Sequence, residues 1–249
     1  MKLRTILLAF ALTCWSASDH LVLVANRQPR ADIVVAADVV AALPNVSLDN
    51  ADPSERVDKI AWAAHDLQVY IEKISGAKLP IVSDDEANSG QHILVGRSKL
   101  TAAYDDKIPS GLTNLREEEG YAILTDANTL VLAGNDEGPY HGTEYAVYFF
   151  LHKLGVRWYM PSEFGDVIPQ QRRIRVGATD EVSRPDFKMR NWWTHWFAND
   201  LRGIETRWKI RNGMNLATMN RVPGDSSVRR VVPPEAEKDN PEYADIFAR

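Results

Sequence analysis

Residues 140–154, YHGTEYAVYFFLHKL, place the tightest constraint on what this chain can fold into. The segment has helical length. Val147, Phe150, Leu151 and Leu154 share one face, and Tyr145, Tyr148 and Phe149 fill much of the rest. A helix that is apolar nearly all round must be covered on more than one side. The chain therefore has to supply a sheet and at least one further layer around it. Gly134-Asn135-Asp136 turns the chain into this helix, with Asp136 placed to cap it, and Gly155 ends it before a return strand at residues 156–159. His141, Tyr140 and Glu144 stand at the helix start, where partial positive charge favours anions. A capped helix end over a packed aromatic explains them as well.

A chain of 249 residues with 45% hydrophobic content can bury such a core, in one large domain or two smaller ones. Its formal charge of −5 argues against nucleic acid or an anionic membrane as the main partner, because both reward a clustered positive surface. A neutral or weakly polar ligand fits better. Residues 1–18 run from a basic start (Lys2, Arg4) through an apolar stretch to Ser16, Ala17 and Ser18. That is the order of a secretory signal peptide, with an apolar run too short to span a bilayer. Cleavage near Ser18 predicts a secreted or periplasmic protein with no integral membrane segment. A lipid anchor at Cys14 is a minor alternative, since Thr13 suits such a site poorly. Cys14 is the only cysteine, so the mature chain holds no disulfide, cysteine zinc site or thiol nucleophile. The six histidines show no ligand spacing, and neither metal nor cofactor is expected.

The residues around this helix read as an α+β domain over residues 19–182, with a mainly antiparallel sheet and two helices on one face. Residues 21–25 and 33–36 suggest a hairpin, and residues 37–50 a loop. Asp52-Pro53-Ser54-Glu55 announces a second helix, with Asp52 as cap. Its stripe runs through Val57, Ile60, Ala64, Leu67, Ile71 and Ile74 to Ser75-Gly76. His65 and Asp66 lie beside the stripe and read as an exposed flank, with a catalytic pair as the alternative. Short strands follow at residues 78–82, with Pro80 marking an edge, and at residues 92–95. Glu117, Glu118 and Glu119 read as a solvated face. Residues 121–124 and 130–133, joined by Asp126-Ala127-Asn128, form a hairpin.

After a linker at Ser183-Arg184-Pro185 the composition changes. Residues 187–193 read as a strand whose end is crowded with Asn191, Trp192, Trp193, His195, Trp196 and Phe197. Sugar rings stack on aromatic faces, and in parallel barrels the C-terminal ends of strands carry substrate groups. Arg190, Trp192, Trp193 and His195 are the candidate substrate-binding residues. A hydrophobic seam between domains uses the same rings, and the two readings can coexist. Residues 201–212 form an amphipathic helix ending at Gly213, and residues 215–219 read as the next strand. One β-α-β step is the repeat of a (β/α)8 barrel, which needs far more than residues 183–249. The expectation is an incomplete barrel in a truncated sequence.

Several phrases converge on one family. AAHDLQVYIEKISGAKLPIV (63–82), HILVGRS (92–98), EEGYAI (118–123), LVLAGNDEG (130–138) and FFLHKLGVRWYMPSEFGDVIP (149–169) resemble the N-terminal domain of α-glucuronidases and the related domain that precedes the barrel in β-hexosaminidases. The sequence from Arg184 onward resembles the start of a bacterial family of unknown function that joins this domain to a glycosidase-like barrel. The resemblance implies a secreted carbohydrate-active protein whose first domain buttresses a catalytic barrel. It also implies that Arg190 matches a hexosaminidase arginine that binds sugar hydroxyls, and that the catalytic carboxylates lie on later strands. Glycoside hydrolysis needs two carboxyl groups across the bond, or one acid where a substrate acetamido group attacks. Glu181, Asp186, Asp200 and Glu205 have no motif support for either role. The catalytic residues are unassigned, and a non-catalytic carbohydrate-binding or surface-attachment protein is the alternative.

Overall fold

A computed structural model describes residues 20–88, 90–113, 118–191 and 202–216. The expected signal peptide lies outside them, as do Trp192, Trp193, His195 and residues 217–249. The fold is α+β. Its larger sheet has six strands: β3 (Ala31–Val35), β4 (Ile81–Ser83), β5 (Gln91–Val95), β6 (Tyr121–Asp126), β7 (Thr129–Gly134) and β11 (Asp180–Ser183), in the order β11-β6-β7-β5-β3-β4. β3 runs parallel to both β4 and β5, and β5 parallel to β7, while β6 is antiparallel to β7 and β11. The expected antiparallel sheet is thus corrected to a mixed one. The central strands are aliphatic on both faces, the pattern of buried parallel strands. Ile33, Val35, Ile93, Val95, Leu130 and Leu132 face one core, while Val34, Leu94 and Val131 face a second.

The first core is closed by α2 (Arg56–Ser75) and α3 (Gly142–Lys153), which lie on one face of the sheet as expected. Ile60, Leu67, Ile71 and Ile74 of α2 are buried, each stabilising by about 1.5–3 kcal/mol. Gly76, at φ 74°, ends α2 in the left-handed conformation, a common stop signal. The helix begins later than its expected cap: Glu55, not Asp52, precedes its first residue. Residues 37–50 are not a loop either. They form α1 (Ala37–Ala42) and two 3-10 turns, Leu43–Asn45 and Leu48–Asn50.

β1 (His20–Ala25) pairs with β2 (Gln28–Pro29) and β10 (Ile174–Gly177) in a separate sheet. The expected hairpin of residues 21–25 with residues 33–36 does not form. Asn26 and Arg27, both at positive φ, close a two-residue turn onto β2, and such turns suit tight hairpins. β3 is thereby released to the larger sheet. β4 lies at the sheet edge, in keeping with Pro80 beside it. β8 (Arg157–Trp158) and β9 (Asp166–Val167) form a small hairpin bridged by the 3-10 turn Glu163–Gly165.

The turn into α3 depends on two glycines. A Cβ on Gly142 would stand 2.2 Å from the Asn135 backbone nitrogen, and one on Gly134 would stand 2.3 Å from the Gly142 carbonyl carbon. No side chain fits between these backbones. Asp136 caps the helix from outside it: its Oδ1 accepts the Thr143 N–H at 2.9 Å and its Oδ2 accepts the Thr143 hydroxyl at 2.6 Å. The same turn wraps the buried Lys59 ammonium. Nζ donates to the carbonyls of Asp136 (3.2 Å), Gly138 (2.5 Å) and Tyr140 (3.0 Å).

The last described helix is α4 (Arg202–Arg211), ended by Gly213 at φ 74°. It packs against α3 and the 48–50 turn. Residues 187–191 are irregular, not the expected strand. Their hydrogen bonds go sideways, to residues 213–215.

Candidate functional site

Arg190 is the one sequence-selected binding residue within the described chain. Its side chain is tied on three sides. Nε donates to the Gly213 carbonyl (2.9 Å), Nη1 to the Phe187 carbonyl (3.0 Å) and Nη2 to Glu119 Oε2 (2.7 Å). The guanidinium also lies over the Tyr145 ring at 5.5 Å. It borders a cavity of about 280 Å³ with Tyr121, Phe149, Asp186 and Phe187. Phe187 and Met189 beside it are exposed.

Glu119 is the surprise of this site. The run Glu117-Glu118-Glu119 was expected to face solvent, yet Glu119 is only 1% exposed. It accepts hydrogen bonds from the His141 backbone N–H (3.2 Å), the Arg190 guanidinium, the Asn215 side-chain amide (3.2 Å) and, at 3.4 Å, the Tyr145 hydroxyl. A carboxylate so placed is satisfied at both oxygens. Arg190 is consequently a charge-compensated donor rather than an open anion receptor.

A second, connected cluster fixes α4. Glu144 stands on the largely apolar helix α3, fully buried, between His141 Nδ1 (2.6 Å) and Arg207 Nη2 (2.5 Å). Arg207 also donates to the Tyr148 hydroxyl, which donates to Asp66 Oδ2 at 3.0 Å. Arg211 reaches the same Asp66 oxygen through Nε (3.0 Å) and Nη2 (2.9 Å). Asp66 is 2% exposed, so the expected exposed flank is corrected. Charged side chains are almost never buried without partners, and the cations here come from far along the chain: Arg207 lies 63 residues from Glu144 and Arg211 lies 145 residues from Asp66.

Burial opposes ionisation of Asp66, but Arg211, the neighbouring His65 and Arg207 together hold its carboxyl well below the usual range. Glu144 is likewise desolvated and is held low by Arg207 and His141. Burial pushes the Tyr145 and Tyr148 hydroxyls well above their ordinary values. Asp136 goes the other way. Its desolvation outweighs the Thr143 hydrogen bonds and Lys59, raising it to about 6. The buried carboxylates of this region are therefore structural ion-pair partners or a helix cap. None is a free acid or base open to a substrate.

Trp192, Trp193 and His195 lie outside the described residues. Among the other candidates, Glu181 pairs with Lys153 at 2.8 Å and Glu205 with Lys209 at 2.7 Å, while Asp186 borders the Arg190 cavity. Asp200 is outside the described residues. Among the described residues no group of three His, Cys, Asp or Glu is placed to hold a metal ion, and no helix is long and apolar enough to cross a membrane. Reasoning from sequence missed Glu119, Glu144, Asp66, Arg207, Arg211 and Asn215. One signal was present: a glutamate in the buried, mostly apolar first turns of α3 requires a buried cation, and Arg207 supplies it. No known family model matches the chain, and no curated protein matches it significantly.

Proposed function

We propose that this chain is the N-terminal part of an exported glycoside hydrolase of the α-glucuronidase and β-hexosaminidase type. Residues 19–182 would form its accessory domain and residues 183–249 the first step of a (β/α)8 barrel, with the catalytic carboxylates elsewhere. The observation that carries the reading is Arg190. Neutralised by Glu119 and stacked on Tyr145, it borders a cavity next to exposed apolar side chains. A guanidinium whose charge is already matched orients neutral hydroxyls better than it attracts carboxylates. Trp192, Trp193 and His195 extend this platform in sequence. The leader-like residues 1–18 support export.

Hydrolysis of a glycosidic bond needs a carboxyl group free to move a proton. The buried carboxylates described here are committed to Arg190, Arg207, Arg211 and the cap of α3. Purified residues 19–249 should therefore leave aryl glucuronides and aryl hexosaminides intact, whereas the protein encoded by the complete reading frame should hydrolyse one class. Turnover by residues 19–249 alone would overturn this assignment. Saccharide binding without turnover by either protein would favour the second reading, a carbohydrate-binding or surface-attachment protein, which the committed carboxylates equally support.

A further inference from the structure

The three-stranded sheet β10-β1-β2 carries an unbalanced positive surface. Arg27 and Arg30 flank β2, Arg172 and Arg173 lead into β10, Arg175 lies within it, and Lys78 follows the Gly76 stop of α2; all six are exposed. The backbone gathers them. The Arg27 N–H donates to the Arg172 carbonyl at 3.0 Å and the Arg30 N–H to the Leu23 carbonyl at 2.9 Å, while Arg175 stands opposite Val22 of the central strand. A Cβ at Gly76 would lie 3.9 Å from the Arg27 Cδ, which brings the end of α2, two residues before Lys78, to the same edge. Arg173 and Arg175 bracket the buried Ile174, so both turn outward from one strand, about 7 Å apart. We infer that this face docks a linear acidic polysaccharide through its carboxylate or sulfate groups. The choice of a carbohydrate polymer rests on the proposed function; the charge of the face does not.

Most other described cations are matched. Arg56, Lys99, Lys107 and Lys153 each pair with a carboxylate near the surface, and Arg190, Arg207 and Arg211 with buried ones. Among the described residues, none of the six side chains on this face has an ion pair, a hydrogen bond or a ring contact, and Glu72 on the last turn of α2 pairs with none of them. The formal charge of −5 hides this concentration. A lone unpaired surface arginine means little. Six cations around one small sheet repel one another, and a field of one sign gathers a partner of the other.

The residue types narrow the partner. Five of the six are arginines, whose planar forks engage two oxygens of an oxyanion at once, whereas lysine acts as a point charge. None of the exposed large apolar side chains falls within residues 21–30, 76–80 or 170–177, so the face has nothing to bury in a bilayer. The same stretches contain no Phe, Tyr or Trp on which nucleic-acid bases could stack. Attraction without insertion or stacking suits a hydrated polyanion, and sugar acids supply one.

The test is calorimetric titration of purified residues 19–249 with polygalacturonate, dextran sulfate and neutral dextran, with phosphatidylglycerol vesicles and duplex DNA alongside. Saturable binding to an acidic polysaccharide and none to dextran is the expected result; whether polygalacturonate or dextran sulfate binds assigns the carboxylate or the sulfate. Affinity should fall about tenfold in the double variant Arg173→Gln/Arg175→Gln, and again when salt rises from about 50 to about 200 mM. Both substituted positions are exposed, so the melting temperature should stay near that of the parent. Lys99→Gln/Lys107→Gln removes the same charge elsewhere and should leave the affinity near that of the parent. Absence of binding to both acidic polymers would overturn the face, and equal losses in the two double variants would overturn its location. Tighter binding to the vesicles or the DNA would overturn the polysaccharide class. Turnover by the complete protein is read separately and tests the proposed function.

Discussion

Removing the Glu119 carboxylate is expected to destabilise this protein more than any loss of a surface charge. Glu119→Ala strips a buried acceptor from four donors: the Arg190 guanidinium, the Asn215 amide, the His141 N–H and the Tyr145 hydroxyl. Breaking a buried ion pair by deleting one partner costs about 3–5 kcal/mol. The Arg190 side chain keeps 20% exposure, so water recovers part of its solvation and the cost falls toward about 3 kcal/mol. In a protein of this size that lowers the melting temperature by roughly 6–12 °C. Circular dichroism melts and urea unfolding of Glu119→Ala, Arg190→Met and the double variant read the coupling directly. The single losses should exceed their combined effect, with a coupling of roughly 1.5–3 kcal/mol. Additivity within about 0.5 kcal/mol, or a Glu119→Ala cost below about 1 kcal/mol, would show that Glu119 is not the buried anchor of Arg190.

The pH dependence of stability should carry the signature of Asp136. Its folded value is raised to about 6, so the folded state binds the proton more tightly than the unfolded chain. Stability from this group should increase as pH falls from about 7 toward 4, by roughly 3 kcal/mol; Asp136→Asn should abolish that rise in urea melts. Asp66 and Glu144 are held low, so their contribution is present above the ordinary carboxylate range and is lost as pH drops below it. The two trends together place maximum stability near pH 5, and a profile rising steadily from pH 4 to 8 would contradict them. Gly142→Ala should prevent folding, because its Cβ would also stand 2.5 Å from the Gly120 carbonyl oxygen. Soluble, cooperatively melting Gly142→Ala protein would show that the turn is less rigid than described.

Much of the helical architecture was legible in the sequence. The stripe from Val57 to Ile74 and its Gly76 stop, the buried helix expected at residues 140–154 and observed at Gly142–Lys153, the β6–β7 hairpin and the helix ending at Gly213 all carry local signals: periodicity, caps and turn residues. Sheet topology does not. Ile33-Val34-Val35 and Ile93-Leu94-Val95 are short aliphatic runs that pair equally well in either direction, and only the placement of α1 and α2 between them fixes a parallel crossover. β11 went unread because Asp180-Glu181-Val182-Ser183 is a polar edge strand.

The candidate site was legible only in part. Arg190 stood out through the aromatic residues after it, but its anchor lies 71 residues away in a glutamate run that reads as surface. Asp66 and Arg211 are separated by 145 residues. Long-range ion pairs of this kind leave no spacing to detect. A charged residue alone on an apolar face, as Glu144 is on α3, is the nearest local hint.

Glu119, Glu144 and Asp66 bind the Arg190 segment and α4 to the layer that holds α2 and α3. Native-state hydrogen exchange of residues 19–249 tests it most directly, because cooperative units share one opening free energy. The amides of residues 207–211 should exchange in step with those of α3, and Glu144→Gln should release α4 while α2 stays protected. Exchange of α4 far faster than α3 in the unaltered protein would contradict the claim.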